Sequence, residues 1–331
     1  MIAKLIRILT IATVFVGVTV QADAQKVFSF NRLVDSVLMV RYHRADIDTN
    51  YVVRPQTKWT LIGRGNISGA RIKAKGQEDG KSFDSKLTAD YKTTLSVGVS
   101  YLGLGLNLSI NPAKMLGKYH DYELAFRSNG KRFGFDITYQ DARNFTGWHE
   151  AEGVRRDIIT SEDLFDLKTL NVNAYYVLNH RRFSYPAALA HSYIQRRSAG
   201  SFLLAASGQG QHGKVNSDKL TMDFKMTNIA LGAGYAYNYV PGRGWLFHLS
   251  ALPTYIIYSN TSITVNDTEV PLKHHFPEGI ITTRAAVVKQ LRHNKFAGLS
   301  AAYNFTSIGY EDNLVVRNQK WFTRVYFGFR L

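Results

Sequence analysis

Cysteine is absent from the 331-residue sequence, and there are only seven prolines. Without cysteine the chain has no disulfide scaffold, no thiolate metal ligand and no cysteine nucleophile. After residue 24 there is also no run of about 18 uncharged apolar residues, so no transmembrane helix is expected. The remaining composition, 45% hydrophobic and 20% charged, is too apolar for an intrinsically disordered chain.

The N-terminus has the composition of a secretory signal peptide. Lys4 and Arg7 precede an apolar run over residues 8–20, and the small residues at 22–24 suit signal peptidase. We predict cleavage after Ala24. As a membrane anchor, the alternative, the run is short of the ~20 residues that a spanning helix needs.

Acidic residues are outnumbered by basic ones, 25 against 41, which gives a net charge of +16. An exported basic protein is suited to the phosphates of lipopolysaccharide or to another polyanion. Nucleic acid is not expected as a partner, because the chain carries an export signal and no recognisable nucleic-acid-binding module. A small-molecule or anionic substrate is not identified by the composition.

From Trp59 to the C-terminus the dominant hydrophobic period is two, which is the period of a β-strand. In residues 228–239, for example, large apolar and aromatic residues alternate with Asn, Ala and Gly. A soluble β-sandwich shows the same alternation, so the period alone does not choose between a sandwich and a membrane barrel.

Two further features favour the barrel. Aromatic residues gather near the strand ends, as at a lipid interface, and short turns alternate with long polar loops. We therefore predict an all-β fold, a transmembrane antiparallel up-and-down β-barrel of about 12 strands (range 10–14), over residues 58–331. The predicted strands are 59–72, 93–101, 103–110, 120–128, 132–141, 167–177, 200–210, 224–239, 245–258, 280–292, 295–305 and 321–331.

Two segments lie outside this pattern. Residues 25–57 are predicted to form a short N-terminal periplasmic segment or plug, with helical spacing near residues 30–41. Residues 178–199 fall where a short turn is expected, yet they are long, basic and aromatic. They are predicted to cover the periplasmic mouth or fold into it, unless one strand is mis-assigned and they lie outside. The cap candidates are Arg54, Arg181, Arg182, Tyr185, Tyr193, Arg196 and Arg197.

Charged residues on the inward rows are the candidates for lining the lumen. Two interpretations stay open: the side chains pair and fill a narrow interior, or an excess of positive charge makes an anion-preferring pore. The lumen-lining candidates are Arg64, Glu123, Arg127, Arg132, Asp136, Arg284, Arg324 and Arg330.

Catalytic and metal-binding patterns are weak in this sequence. His248 and Ser250 share one strand face and His191 precedes Ser192, but neither pair has an evident third member for a hydrolytic triad. His274 and His275 near Glu278 have the residue types of a metal site. Adjacent histidines point apart on a strand, so a solvated loop is expected and neither a metal nor a cofactor is predicted.

Several runs of the sequence resemble a family of outer-membrane β-barrel proteins from anaerobic Gram-negative bacteria, catalogued as a domain of unknown function. The resemblance covers about residues 30–331 and implies the barrel fold and the outer-membrane location. It implies no activity, ligand or site residue. One departure is the C-terminus, which ends in Leu331 instead of the usual aromatic residue. The runs that carry it are 51–55 with 59–60, 100–106, 111–114, 132–134, 139–140, 173–176, 181–188 and 193–201.

The sequence thus predicts a non-enzymatic barrel of the bacterial outer membrane that acts as a channel, transporter or surface scaffold. Its expected partners are outer-membrane lipid, lipopolysaccharide and the barrel assembly machinery. The alternatives are a barrel enzyme acting on outer-membrane lipid and a soluble periplasmic β-domain that binds a partner.

Overall fold

The structure is a computed structural model that describes most of residues 46–331. The predicted signal peptide at 1–24 and the helical spacing at 30–41 lie outside the described residues. The same holds for the short ranges 79–80, 90, 102–103, 111–122, 143–144, 152, 160–164, 217–220, 266–267, 271–277 and 311–313.

Eighteen β-strands and one short helix are present in the described part of the chain. The helix is α1 (Tyr185–Leu189). The strands are β1 (Val52–Val53), β2 (Trp59–Glu78), β3 (Lys81–Ala89), β4 (Lys92–Tyr101), β5 (Leu104–Ile110), β6 (Glu123–Asn129), β7 (Phe133–Ala142), β8 (Phe145–Ala151), β9 (Val154–Ile159), β10 (Phe165–Val177), β11 (Ile194–Gln195), β12 (Ala199–Asn216), β13 (Thr221–Gly242), β14 (Trp245–Val265), β15 (Thr268–Val270), β16 (Gly279–Gln290), β17 (Lys295–Tyr310) and β18 (Leu314–Arg330).

The strand pairs return to their starting point and form a barrel. The last strand, β18, pairs with β2 from Arg330 opposite Thr60 to Leu314 opposite Gly76, and β2 also pairs with β4. Every pair in the ring is antiparallel. The ring therefore has the predicted twelve strands, in the order β2, β4, β5, β6, β7, β10, β12, β13, β14, β16, β17 and β18.

Additional strands extend this ring at one end. The first part of β2 pairs with β4 and its later part pairs with β3. In the same way, β8 follows directly after β7 in the chain. The hairpin of β5 and β6 is shorter than its neighbours, so β3 and β8 pair directly with each other beyond it. These pairs lengthen the wall at the end of the long loops. Several ring strands also extend beyond their predicted bounds, among them β12, β13, β14, β17 and β18.

The strand faces differ in polarity across the wall. On β13, Leu231 and Tyr237 are exposed on the outside, whereas Asn228 and Asn238 are buried inside. The same holds for β18, where Phe327 points outward. An apolar exterior with a polar interior is the arrangement of a barrel in lipid.

The polarity reverses in the outer part of the wall. Lys225 and Thr227 are exposed there, while Met226 packs inward against an apolar cluster that includes Ile256 and Ile308. A second inward cluster brings β2 and β3 against β10 and β13 and is called here the apolar layer. It consists of Ala70, Ile72, Leu87, Ala89, Leu167 and Phe224.

Both ends of the barrel sequence lie at the end of the short turns. Trp59 and Leu331 exchange backbone hydrogen bonds of 3.0 and 2.8 Å. The β16–β17 turn has positive φ at both His293 and Asn294, as a type I′ turn requires. Residues 178–198 connect β10 to β12 at this same end, so the strand count placed the segment correctly.

Among the described residues, no helix has the length and apolar character needed to cross a membrane.

Candidate functional site

Residues 178–198, called the plug, fold into the short-turn end of the barrel. Ser184 caps α1 by accepting a hydrogen bond from the Ala187 amide at 3.2 Å, and Pro186 lies in the first turn, where its missing N–H costs nothing. His191 adopts φ 61° and donates its amide to the Pro186 carbonyl at 2.7 Å. These local bonds end the helix after one turn and send the chain back toward the rim.

The plug buries two aromatic rings inside the barrel. Phe183 is fully buried and Tyr185 is nearly so. The Tyr185 ring packs edge-on against Tyr175 at 4.8 Å and against His248 at 5.4 Å between ring centroids. Removing these rings from water is the main apolar contribution to plug binding. The surrounding cluster consists of Tyr175, Val177, Ala199, Leu203 and Ala236, with Tyr51, Leu189 and Leu252 at its edge.

A buried glutamine ties the two arms of the plug together. The Gln195 amide nitrogen donates to the Arg182 carbonyl at 2.6 Å and to the Arg197 carbonyl at 2.9 Å. Its amide oxygen accepts from the Ser184 backbone at 2.9 Å and from the Asn238 side chain at 3.2 Å. Since every polar group of this side chain is paired, its burial costs little and fixes the plug geometry.

The barrel wall continues this network. The Asn238 amide nitrogen also donates to the Ser184 carbonyl at 2.9 Å, and its oxygen lies 2.7 Å from His248 Nδ1. The other ring nitrogen of His248, Nε2, lies 3.2 Å from the Ser250 hydroxyl. Three inward wall residues therefore form one hydrogen-bonded chain beneath the plug.

On the opposite side of the mouth, the His191 ring lies against Phe296 and Tyr326, at 4.5 and 4.6 Å between centroids. Arg330 Nε donates to the His191 carbonyl at 2.9 Å. Burial holds the pKa of His191 well below its ordinary value, and the positive charges of Arg330 and Arg64 lower the pKa further. The imidazole is therefore neutral near pH 7.

The described end of the N-terminal segment, residues 48–53, contacts the plug. β1 pairs with β11, and the Arg196 amide donates to the Tyr51 carbonyl at 2.7 Å. The Tyr51 ring lies under the guanidinium of Arg182 at 5.2 Å, and Arg182 also approaches Asp48 at 3.5 Å. The two segments proposed as a cap are therefore in direct contact.

A polar chamber lies between the plug and the apolar layer. Arg284 lies 3.6 Å from Asp136 and donates to the Tyr185 hydroxyl at 3.1 Å. Four strands separate β7 from β16 on the shorter way around the ring, so this ion pair crosses the lumen. Lys320 and Gln140 make a second contact across it. The cavity measures about 230 Å³, and many amide and hydroxyl side chains line it, including Asn171, Asn173, Ser207, Gln209, Asn304 and Asn318.

The predicted lumen residues do not all occupy equivalent places. Arg284, Asp136 and Arg324 line the chamber. Arg64 contacts Asn107 on the inner wall, and Arg330 lies below the chamber at the plug.

The three other lumen candidates lie at the rim or on β6. Arg132 lies at the exposed rim next to His180, because β7 begins only at Phe133. Glu123 and Arg127 lie on β6, in register with Gln140 and Asp136, and their side chains are outside the described part of the structure.

The cap candidates divide into buried tyrosines and exposed arginines. Tyr185 and Tyr193 are buried in the barrel mouth. The arginines of the plug face outward, and Arg54 follows β1 with partial burial. The exposed group consists of Arg181, Arg182, Arg196 and Arg197.

The remaining hydrolytic and metal-binding candidates from the sequence do not form a site among the described residues. Ser192 has a buried hydroxyl without a hydrogen-bond partner, so it forms no catalytic pair with His191. Glu278 is buried and accepts from the Gly309 amide at 2.8 Å, whereas His274 and His275 lie outside the described residues. No cluster of three metal-ligating side chains occurs among the residues that the structure describes.

The alternation of residues 228–239 places Asn238 on the inward face of its strand, but the sequence did not predict that it lies opposite His248. Counting back from the pair Gly242 and Trp245 places Tyr239 opposite His248. An irregularity between Tyr239 and Gly242 shifts the register by one residue, so Asn238 takes that place. Counting from the turn does not reveal this irregularity, so it does not predict the pair of Asn238 and His248.

The closed ring, its apolar exterior and its polar, plugged interior define an integral β-barrel protein of the outer membrane. The chain belongs to the family described as domain of unknown function DUF4421, whose model matches residues 46–331. This confirms the family resemblance read from the sequence. No curated protein matches the chain.

Several solved outer-membrane proteins are similar in structure at low identity. The outer-membrane protease OmpT from Escherichia coli is 9% identical, covers 84% of this chain and 97% of its own, and has a TM-score of 0.39. An outer-membrane channel from Pseudomonas putida F1 is 12% identical, with coverages of 85% and 99% and a TM-score of 0.35. The translocator domain of autotransporter NalP from Neisseria meningitidis is 11% identical, with coverages of 93% and 98% and a TM-score of 0.29.

Proposed function

We propose that the protein is a gated channel for small polar solutes, preferentially anions. The observation that carries this proposal is the polar chamber, which lies between the plug at one end and the apolar layer at the other. Short turns of outer-membrane barrels face the periplasm, so the plug is the periplasmic closure. An apolar constriction excludes water and ions until it widens, which makes the apolar layer the outer closure.

Charge supports the preference for anions. Arg284, Arg324 and Lys320 line the chamber with Asp136 as the acidic residue among the described lining residues. A surplus of fixed positive charge between low-dielectric walls attracts anions. The amide and hydroxyl side chains around them donate and accept hydrogen bonds, which suits small hydroxylated or carboxylated solutes.

The experiment is single-channel recording in planar lipid bilayers with the full chain. We expect wild-type protein to be silent. A variant with residues 182–196 replaced by a Gly-Ser linker, combined with Leu167→Ser and Phe224→Ser, should conduct and prefer anions. The matched control, Arg196→Gln with Arg197→Gln, alters only exposed plug residues and should stay silent.

Folding of each variant is checked by heat-modifiability on gels. If the variant that lacks both the plug and the apolar layer folds but does not conduct, the channel function is contradicted. A surface scaffold would then be the remaining function. A conducting variant that prefers cations would contradict the anion preference.

The targeting and lipid contacts of the chain belong to the same proposal. Residues 1–24 serve as the export signal, and 25–57 remain in the periplasm with 58–331 as the barrel. Arg71, Lys75 and Arg317 are exposed on adjacent strands above the apolar band, where lipopolysaccharide phosphates lie. The C-terminal strand is the segment that the barrel assembly machinery would bind. Mass spectrometry of the N-terminus of outer-membrane protein tests the cleavage after Ala24.

A further inference from the structure

The hydrogen-bonded chain beneath the plug joins a hydroxyl, an imidazole and an amide. Ser250 Oγ lies 3.2 Å from His248 Nε2, and His248 Nδ1 lies 2.7 Å from Asn238 Oδ1. All three residues are nearly or fully buried, with exposures of 2%, 4% and 0%. His248 and Ser250 are two apart on β14 and so share a face, and Asn238 lies opposite His248 on β13.

The surrounding bonds determine where the proton on the imidazole lies. Asn238 Nδ2 donates to the Ser184 carbonyl and to Gln195 Oε1, so its oxygen is the atom that faces His248. An amide oxygen only accepts hydrogen bonds, so Nδ1 of His248 carries the proton. Nε2 of the neutral ring is then the acceptor for the Ser250 hydroxyl. This is the tautomer that a general base needs in order to deprotonate a serine.

The residues around Ser250 provide the other parts of an acyl-transfer site. Arg284 is in register with Ser250 on the neighbouring strand and donates to the Tyr185 hydroxyl at 3.1 Å. Its guanidinium offers further N–H donors for a developing oxyanion. Leu203, Ala236 and Leu252 form an apolar wall beside the serine, and Phe183 and Tyr185 of the plug fill the space against it. A short acyl chain fits the place that these rings occupy.

We propose that Ser250, His248 and Asn238 form a latent esterase centre for short-chain acyl esters, covered by the plug in the closed barrel. Ser250 and His248 are the catalytic residues, and Asn238 is a positioning residue. Ser250 Oγ attacks the ester carbonyl while its proton passes to His248 Nε2. The ester C–O bond then breaks, and the alcohol leaves with that proton. Water hydrolyses the acyl-serine by the same route, releasing the carboxylic acid.

The test uses full-length protein folded in lipid vesicles and a fluorophosphonate probe. The serine oxygen displaces fluoride from this probe, so labelling reports nucleophilicity directly. The variant Phe183→Ala with Tyr185→Ala keeps Ser184 and Gln195, which orient Asn238. It should be labelled at Ser250 at least tenfold faster than wild type, and should hydrolyse p-nitrophenyl butyrate. Tyr185→Ala alone, which removes the ring that packs against His248, is a second plug variant, used if the double variant fails the heat-modifiability check.

Controls are made in the plug-variant background. Ser250→Ala and His248→Ala should abolish labelling, and the matched control Ser96→Ala, a buried wall serine next to Asn66, should not change it. Asn238→Leu should slow labelling and Asn238→Asp should restore it, with a pH profile displaced upward because the carboxylate stabilises the imidazolium. If Asn238 had only a structural role, Asn238→Asp would leave the pH profile of labelling unchanged.

Two results would overturn the proposal. One is a folded plug variant without labelling at Ser250, which would make the chain of bonds a plug anchor only. The other is equal labelling of wild type and plug variant, which would show that the plug does not cover the site. Since labelling does not depend on conductance, the esterase and the channel are tested separately.

Discussion

Arg284 and Asp136 meet across the lumen, 3.6 Å apart, from strands that lie far from each other around the ring. Asp136 also accepts a hydrogen bond from the Asn173 side chain at 3.0 Å, and Arg284 reaches the plug at Tyr185. The lumen interior and the plug are therefore mechanically connected through one arginine. Of the two interpretations of the inward charges, this contact favours the paired network for the closed state.

The first prediction concerns this ion pair. Asp136→Leu should lower the free energy of unfolding by about 2 kcal/mol, because Arg284 loses its counter-charge while remaining partly buried. The Asp136 side chain is 16% exposed and the Arg284 side chain is 24% exposed. The loss of stability is therefore smaller than for a fully buried ion pair. Urea titration in lipid vesicles measures it. A cycle with Arg284→Met should give a coupling of about 1–2 kcal/mol, and a coupling near zero would show that the two residues act independently.

The second prediction concerns the anchoring ring of the plug. Phe183→Ala should cost about 3–5 kcal/mol, since it removes a fully buried ring from the cluster around Leu203. Phe202→Ala is the matched control on the lipid-facing side, where the ring is 65% exposed, and should cost much less. Protease accessibility of the plug, followed by mass spectrometry, provides the local measurement. Equal effects of the two substitutions would mean that Phe183 does not hold the plug.

The third prediction concerns pH. The pKa of His191 is lowered in the folded state by burial and by Arg330 and Arg64, so folding favours the neutral ring. The stability that this provides is present above the ordinary histidine pKa of about 6.5 and is lost as the pH falls below it. The plug should therefore become more protease-sensitive between pH 7 and pH 5. His191→Asn tolerates the left-handed backbone and does not titrate, so the change with pH should shrink in this variant.

The opposite pH trend would contradict the assignment to His191. A plug that loosens on alkalinisation, or that keeps the full acid response in His191→Asn, would point to another group.

The fourth prediction concerns a glycine beneath an aromatic ring. A Cβ on Gly134 would lie 2.3 Å from the Tyr175 ring, which also packs edge-on against Tyr185. Gly134→Val should displace Tyr175, loosen the plug and cost about 1–3 kcal/mol. Gly65→Val is the control, because no atom lies within 4 Å of a Cβ placed there. The two free energies of unfolding, measured side by side, check this; equal values would exclude the ring contact as the cause.

Much of the fold was predictable because its determinants are local. Alternate side chains of a strand point to opposite faces, so the alternation alone assigns residues such as Tyr235 and Tyr237 to the lipid side. Hairpin pairing joins neighbouring strands, and the alternation of short and long connections gave the strand number. The same count placed residues 178–198 at the end where Trp59 and Leu331 meet.

The candidate site was predictable only in part. The sequence marked the plug segment and several inward arginines, and it marked His248 with Ser250. It did not mark Gln195, Phe183 or Asn238, whose roles depend on packing between segments distant in sequence. It also placed Arg132 in the lumen, whereas the strand begins one residue later and leaves this side chain at the rim.

By itself the sequence determined an outer-membrane barrel of about twelve strands, because strand period and turn length are local properties of the chain. Only the tertiary structure decided that β18 closes on β2, that Arg284 reaches Asp136, and that Asn238 faces His248. The first two contacts join distant parts of the chain, and the third depends on a register irregularity beside a turn. Such contacts depend on ring closure and exact register, and alternation of polarity constrains neither.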